Sequence, residues 1–139
     1  MPVHSSTIQL RTNGFSDIID LTNKVASALA SSGLQHGIVT VFVPGSTASI
    51  TTIEFESGVM NDLKKAIERI APQGIHYDHD ARWGDGNGFS HVRAALLGPS
   101  ISIPFSERQL QLGTWQQIIL IDFDNRPRTR EVLIQILGE

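Results

Sequence analysis

The amino-acid sequence predicts a single domain, residues 1–139, of the α+β class, in which antiparallel sheets or a sandwich of sheets carry two main helices. The predicted elements run strand, helix, strand, strand, helix and then several strands, an order typical of helices packed on an antiparallel sheet. A length of 139 residues is enough for one buried core. The 40% of apolar and 18% of charged residues are typical of a globular protein.

Hydrophobic patterning supports each element in chain order. Apolar alternation and runs of β-branched residues predict strands, whereas apolar residues spaced three and four apart predict helices. The first helical pattern starts at Asp17, with Ser16 as its capping residue, and stops at Gly33. An amphipathic helix follows at Gly58–Ile70, and a short helix at Ser90–Leu97 starts at Ser90 as its cap. The predicted strands are residues 5–11, 36–43, 46–54, 100–105, 112–124 and 130–138.

Charge and hydropathy limit the classes of function. The formal net charge of −3 argues against nucleic acid as a partner, because neutralising phosphates requires clustered Lys and Arg. The one basic cluster, Arg126, Arg128 and Arg130, lies beside Asp122 and Asp124, which favours a solvated turn with local ion pairs. No apolar stretch approaches the roughly 20 residues of a membrane span, and no signal peptide is recognised. We therefore expect a cytoplasmic protein with no membrane partner.

The segment HYDHDARWGDGNGFSH, residues 76–91, contains three histidines, three aspartates and three glycines. The chain has no cysteine, so a metal ion would be bound by His, Asp, Glu or water. His79 and His91 flank a glycine-rich turn that can bring both imidazoles onto one divalent ion, zinc or similar. Asp85 or Asp80 would add an anionic oxygen. The alternative is a surface loop with hydrogen-bonded histidines.

The same segment could bind a phosphate group. Backbone amides in the glycine-rich turn can converge on an anion, and the positive end of a helix starting near Ser90 would reinforce them. Taken singly, the DGNG stretch is more often an ordinary turn. The predicted phosphate ligands are Ser46, Thr47, Ser49, Gly86, Asn87, Gly88 and Arg93.

Two residues are candidates for catalysis. Glu54 ends the Ser/Thr-rich strand and could act as a general base, although a solvated carboxylate is the simpler alternative. His91 is the second candidate, because a histidine at a bound ion can also take part in the reaction.

Five motifs together resemble the YjbQ-like family of small uncharacterised proteins. The resemblance spans nearly the whole chain, and LLGPS followed by LGTWQ is its most specific part. The motifs are STASITTIE (46–54), YDHD (77–80), DGNGFSH (85–91), AALLGPS (94–100) and LGTWQQ (112–117).

The resemblance implies a fold, an assembly and an activity. It implies an α+β subunit that forms a homotrimer, with sheets packed about the threefold axis. It also implies a pocket of histidines and acidic residues that holds a metal or an anion. The implied activity is a weak thiamine phosphate synthase, which joins a pyrimidine pyrophosphate to a thiazole phosphate. By position, His79 and His91 match the two recurrent histidines of the family, and Glu54 its recurrent acid.

This chain departs from the family pattern at two positions. Many members have histidine where this chain has Ser46, and histidine where it has Phe89. A set of three histidine ligands that uses those positions is therefore absent here.

The sequence leaves three functions open. The first is an enzyme acting on a small phosphorylated substrate at a metal ion held by His79, His91 and Asp85, with Glu54 handling a proton. The second is a non-catalytic trimer that binds a metal or a metabolite, in which Glu54 is dispensable. In the third, the trimer itself serves as a scaffold.

Overall fold

The computed structural model describes residues 1–139 and confirms the α+β class. Its strands form two antiparallel sheets, one of five strands in the order β1-β8-β3-β5-β6 and one of three in the order β2-β7-β4. None of the helices has the length and apolar character required to cross a membrane. The elements are β1 (Val3–Thr12), β2 (Asp17–Asp20), α1 (Thr22–Ser32), β3 (Gly37–Phe42), β4 (Ala48–Ile53), α2 (Ser57–Ile70), α3 (Asp78–Trp83), α4 (Gly88–Leu97), β5 (Ser100–Ser106), β6 (Gln109–Leu110), β7 (Gln117–Asp122) and β8 (Arg128–Gly138).

The three-stranded sheet is buried on both of its faces. Ile118 and Leu120 point into the main core, which the two sheets share with α1. Ile121 and Phe123 form a second core with Ile67 of α2 and with α4. The continuous apolar run in β7 is therefore explained by burial on two sides, since a strand with one wet face alternates instead.

The five-stranded sheet has one buried and one open face. In β8, Val132, Ile134 and Ile136 are buried, while the residues between them are exposed. This alternation agrees with the strand predicted at residues 130–138 and with its period of two.

The prediction of a helix starting at Asp17 is wrong. Asp17–Asp20 is an edge strand that pairs with β7, and α1 begins only at Thr22. Ser16 does not cap the helix; it is buried, with φ 66°, before the strand. The Thr22 amide at the helix start instead donates a hydrogen bond to the Asp20 carboxylate at 2.9 Å. Two adjacent apolar residues, at 18 and 19, fit both the period of a helix and that of a strand, so the sequence pattern does not distinguish the two. The pairing of this segment with β7 makes it a strand.

Other boundaries also differ from the sequence prediction. The strand predicted at residues 112–124 is limited to β7, and the one at 46–54 begins at Ala48. Residues 78–83, for which no helix or strand was predicted, form α3. The short helix predicted from Ser90 is present as α4 but begins at Gly88, and the Ser90 hydroxyl donates to the Asn87 carbonyl.

The predicted solvated turn around the arginine cluster is confirmed only for Arg126, which is exposed, whereas Arg130 belongs to a buried charge network. Asp122 and Asp124 are fully buried, and Arg130 is 8% exposed. Arg130 binds Asp122 with two nitrogens, Nε at 2.7 Å and Nη2 at 2.9 Å. Thr12 donates to the same carboxylate at 2.6 Å. The predicted local ion pairs between arginine and aspartate are confirmed. Arg130 is buried because it occupies one of the positions of β8 that face the core.

Close contact between β3 and β8 requires glycine at position 37. A Cβ on Gly37 would lie 2.1 Å from the Leu137 carbonyl oxygen and 2.6 Å from the Gly138 Cα, both backbone atoms. We expect Gly37→Ala to lower the free energy of unfolding by about 1–3 kcal/mol, the usual range for overpacking. Gly74→Ala is the matched control, because nothing lies within 4 Å of its Cβ position. Equal urea midpoints for the two variants would contradict this prediction.

Candidate metal centre

The structure brings His79 and His91 together. His79 lies on α3 and His91 on α4, and their ring centroids are 4.4 Å apart with an interplanar angle of 39°. The glycine-rich turn folds back between the two helices, as the sequence predicted. Gly84 ends α3 in a left-handed conformation with φ 72°.

Two carboxylates complete the cluster. The Nδ1 atom of His79 is 3.4 Å from an Asp85 oxygen and 3.6 Å from an Asp80 oxygen. One ligand atom from each of these three residues lies within 4.8 Å of the others, a spacing that could hold a metal ion. Asp80 is fixed, since it accepts from the Gly88 amide at 2.8 Å, whereas Asp85 is more exposed. Both acids that the sequence offered as alternatives are therefore present.

The cluster contains a polar atom without a partner. Nδ1 of His79 is buried yet makes no hydrogen bond. Buried polar atoms are rarely left unsatisfied in folded proteins. A cation between the His79 imidazole and the carboxylates of Asp80 and Asp85 would satisfy all three, and this nitrogen and oxygen donor set suits zinc and neighbouring transition metals. His91 lies outside this group of three, although its ring adjoins that of His79. The residues present therefore fit a divalent ion.

The protonation of His91 also suits a ligand. Burial lowers the pKa of His91 below its ordinary value, and the neighbouring His79 lowers it further. The carboxylates of Asp124, Asp85 and Asp80 raise it, but by less. His91 is therefore neutral near pH 7, which is the form of imidazole that binds a metal.

Three predicted phosphate ligands are occupied by structural contacts. The Thr47 hydroxyl donates to Asp124 at 3.0 Å and accepts from Arg130 at 2.6 Å. The Ser49 hydroxyl donates to a backbone carbonyl of α4 at 3.1 Å. Arg93 is buried, and its guanidinium binds Glu68 and the Ala71 carbonyl. All three side chains therefore have structural partners in this subunit, and their role as phosphate ligands stays a prediction.

The glycine-rich turn plays a partly structural role. A Cβ on Gly88 would lie 2.6 Å from the Cβ of Tyr77, so glycine permits the close approach of α3 and α4. The Gly88 amide donates a hydrogen bond to the Asp80 carboxylate. Gly86 is exposed, with φ 69°, and Asn87 is buried with an unpartnered Oδ1 atom. Gly86 and Asn87 are therefore the turn residues still able to contact a ligand.

Ser46 remains next to the histidines. It is exposed and shares with His91 a cavity of about 230 Å³. The rest of this cavity is lined by Gly45, Ala48, Ala94, Ala95 and Pro99. A small and largely uncharged cavity therefore adjoins one candidate ligand.

Glu54 is not brought to the histidines. It follows the last residue of β4, whereas Thr47 precedes the first, and seven residues of strand at ~3.3 Å each span more than about 20 Å. Glu54 is exposed and lines a different cavity, of about 570 Å³, with Asp20, Glu56 and Trp115 among its neighbours. Within one subunit Glu54 therefore does not reach the same reacting group as His91.

Sequence reasoning missed Asp124. Burial alone would raise its pKa, but hydrogen bonds from Arg128, the Asn125 amide, Asn87 and Thr47 outweigh burial and lower the pKa to about 2. The available signal was the stretch IDFD (residues 121–124), in which two acids alternate with apolar residues at the end of an apolar strand. Acids at alternate positions of a buried strand indicate a buried ion pair rather than a wet turn.

Comparisons with known proteins agree with this architecture. Residues 6–139 match the family described as UPF0047 protein YjbQ-like. A UPF0047 protein of Methanothermobacter thermautotrophicus is 37% identical over 139 residues, all of this chain and 95% of the relative. The crystal structure of a YbjQ-like protein of unknown function from Sulfolobus solfataricus gives a TM-score of 0.94 at 32% identity and covers 99% of both chains. A YjbQ/UPF0047 protein of Clostridium acetobutylicum gives 0.87 at 34% identity, covering 95% of this chain and 99% of its own.

The fold and the cluster define a class of protein: a small α+β subunit with two antiparallel sheets and a pair of helices that carry adjoining histidines. The chain belongs to the UPF0047 (YjbQ-like) family, as its motifs indicated.

The pKa of Asp124 predicts how stability depends on pH. Its folded pKa of about 2 lies below the ordinary 3.8, so its contribution is fully present above pH 5 and is lost as the pH falls through 4 towards 2. The loss is at most about 2 kcal/mol. Urea unfolding at pH 6, 4 and 3 should show a smaller acid dependence in Asp124→Asn than in the wild type. The same dependence in both proteins would contradict the assignment.

Proposed function

We propose that the protein is an enzyme that acts on a small phosphorylated substrate and uses a divalent metal ion, zinc or similar, held by His79, His91 and Asp85. The observation that carries the proposal is the buried, unpartnered Nδ1 of His79, which faces two carboxylates beside a second imidazole. Asp80 would serve as an additional oxygen ligand. Three or four protein ligands leave room for a substrate oxygen or water, as catalytic metal sites require.

The ion would supply Lewis acidity and positive charge at a phosphate oxygen. Two arginines of this region are already paired with carboxylates. Arg93 is paired with Glu68, whose side chain is half exposed, and Arg130 is paired with the buried Asp122. If the reaction is thiamine phosphate synthesis, departing pyrophosphate needs positive charge at the leaving group, so we expect turnover to depend strictly on the metal.

The substrate would contact the protein at the mouth of the cluster. The Ser46 hydroxyl and the Gly86 amide are the exposed donors on the two sides of the site. The cavity shared by Ser46 and His91 has a wall of alanines, which suits an uncharged part of the substrate. The phosphate would therefore lie towards the ion and the glycine-rich turn, and the uncharged part towards Ala94 and Ala95.

A second candidate is a non-catalytic protein that binds a metal or a metabolite. Two observations favour it: Glu54 lies at the other end of β4, and Thr47, Ser49 and Arg93 are engaged in structural contacts. The histidine cluster would then capture an ion without supplying a general base. Turnover separates the two candidates.

Zinc binding tests the proposal. We expect wild-type protein to bind one zinc ion per chain in calorimetry, and His91→Ala to weaken binding by more than about 100-fold, since loss of an outer hydrogen bond alone costs 10–100-fold. His76→Ala is the matched control, because His76 belongs to the same segment but pairs only with Asp78 at the surface.

Turnover is measured as pyrophosphate release from a pyrimidine pyrophosphate and a thiazole phosphate, with and without zinc. Release in the wild type that His91→Ala abolishes supports the enzyme. Zinc binding without release favours the binding protein. A wild-type chain that binds no divalent ion would overturn the metal-dependent enzyme and the metal-binding form of the second candidate.

We also propose that the subunit assembles as a homotrimer through the open face of the five-stranded sheet. Val3, Leu137, Ile38 and Pro104 form one row across four strands, and Leu133 and Phe42 lie side by side in another. The row between them is polar but uncharged, and its side chains bond to each other, as Ser5 does to Gln135 at 3.0 Å. An uncharged, partly apolar face of this extent is typical of an interface. The number of three copies comes from the family resemblance.

Mass measurement tests the assembly. We expect wild-type protein to have three times the mass of a 15.2 kDa chain in native mass spectrometry. Ile38→Lys should shift it to the monomer, because Ile38 is half exposed on a central strand and the charge would be buried in the interface. Leu96→Lys is the control, on an exposed position of α4. A monomeric wild type, or a trimeric Ile38→Lys, would contradict this surface.

A further inference from the structure

Asp124 connects three separate segments of the chain. The residue follows the end of β7 and is fully buried. One of its oxygens accepts from the Asn125 amide at 2.8 Å and from the Asn87 side chain at 3.3 Å. The other accepts from Thr47 at 3.0 Å and from Arg128 at 2.8 Å. The carboxylate therefore joins the turn before β4, the glycine-rich turn and the start of β8.

Two of these contacts lead directly to the candidate metal centre. Asn87 immediately precedes α4, so its side chain fixes the end of the helix that carries His91. The backbone amide of Asn125 donates to the Asp124 carboxylate. The side chain of Asn125 in turn donates to the Asp85 carbonyl at 2.9 Å. The short segment between Asp85 and Gly88 is thus anchored at both ends, and Asp80 accepts from the Gly88 amide.

The ionised state of Asp124 makes this anchoring directional. A carboxylate only accepts hydrogen bonds, so the NH₂ group of Asn87 must face it and the Asn87 carbonyl oxygen must face away. That oxygen is the buried acceptor that has no partner. An amide in place of Asp124 could donate as well as accept, and would no longer determine which way Asn87 points.

We infer that Asp124 is a positioning residue that holds Asp85 beside His79, and the start of the helix that carries His91, in place for one metal ion, acting through Asn125 and Asn87. This inference rests on the proposed metal-binding function. Asp124 lies outside the ligand set, which consists of the histidines with Asp85 and Asp80. Its effect is to keep the ligands assembled before the ion arrives, as outer hydrogen bonds commonly do at metal sites.

Asp122 provides a matched control. It is equally buried and belongs to the same charge network, but its side chain binds Arg130 and Thr12, on β8 and β1. No side-chain contact of Asp122 reaches the glycine-rich turn; its one further bond is to the backbone amide of Asp124, at 3.0 Å. Loss of either carboxylate removes a buried partner of an arginine, so both Asp122→Asn and Asp124→Asn should lower the melting temperature.

The test compares zinc affinity with stability in the full chain. We expect Asp124→Asn to weaken zinc binding by about 10–100-fold in calorimetry. We expect Asp122→Asn to bind zinc within about twofold of the wild type at a similarly lowered melting temperature. Equal zinc affinities in the two variants would overturn the inference.

A second arm needs no metal. Hydrogen exchange of the Gly88 amide in metal-free protein should be faster in Asp124→Asn than in Asp122→Asn, because the first change frees Asn87. If Asp124→Asn does not fold, Asn87→Ala removes only the link to α4, and it should both weaken zinc binding and speed exchange at Gly88. Wild-type affinity and wild-type exchange in Asn87→Ala would equally overturn the inference.

The two arms separate this inference from the proposed function. A wild-type protein that binds no zinc contradicts the metal-binding function, and the exchange arm then decides alone whether Asp124 positions the turn. Zinc binding in the wild type with no difference between Asp124→Asn and Asp122→Asn leaves the function standing and removes the positioning role.

Discussion

The buried charge network at the ends of β7 and β8 is the constraint on which the rest of the structure depends. Two fully buried carboxylates, Asp122 and Asp124, face Arg130 within the fold. Burying charges is unfavourable unless each finds partners with good geometry. Residues distant in sequence meet that requirement, since Thr12 binds Asp122 across 110 positions and Thr47 binds Asp124 across 77. The network therefore holds β1, the turn before β4 and the glycine-rich turn against β8.

This constraint also determines which polar groups remain for a ligand. Hydroxyl and guanidinium groups that satisfy buried partners, such as those of Thr47 and Arg93, cannot also bind an anion without breaking those contacts. The histidine cluster is the opposite case, because Nδ1 of His79 has carboxylates nearby and no hydrogen bond. The buried polar atoms that lack a hydrogen-bond partner, Nδ1 of His79 and Oδ1 of Asn87, both lie in the segment of residues 76–91. That concentration supports the proposed binding site over a polar surface loop, the alternative that the sequence left open.

The layered arrangement separates two polar regions of the subunit. Because β7 is buried on both faces, the two polar regions lie beyond its two ends. The histidine cluster lies near the Asp122 end, where Ala48 of β4 pairs, and Glu54 follows the end where Ile53 pairs with Gln117. A strand of β4's length holds these regions apart. A reaction that used both His91 and Glu54 would therefore require more than one subunit, and the sequence order alone gives no indication of this.

The sequence by itself determined the family, the α+β class, most of the strands and the meeting of His79 with His91, because these follow from local periodicity and from a turn short enough to fold back. Only the tertiary structure decided that Asp17–Asp20 is a strand, that Thr47, Ser49 and Arg93 are occupied, and that Asp124 is buried. The physical reason is that the hydrogen bonds of a side chain depend on partners brought near by folding. A local pattern specifies which groups a residue carries, whereas long-range contacts specify which of those groups remain free.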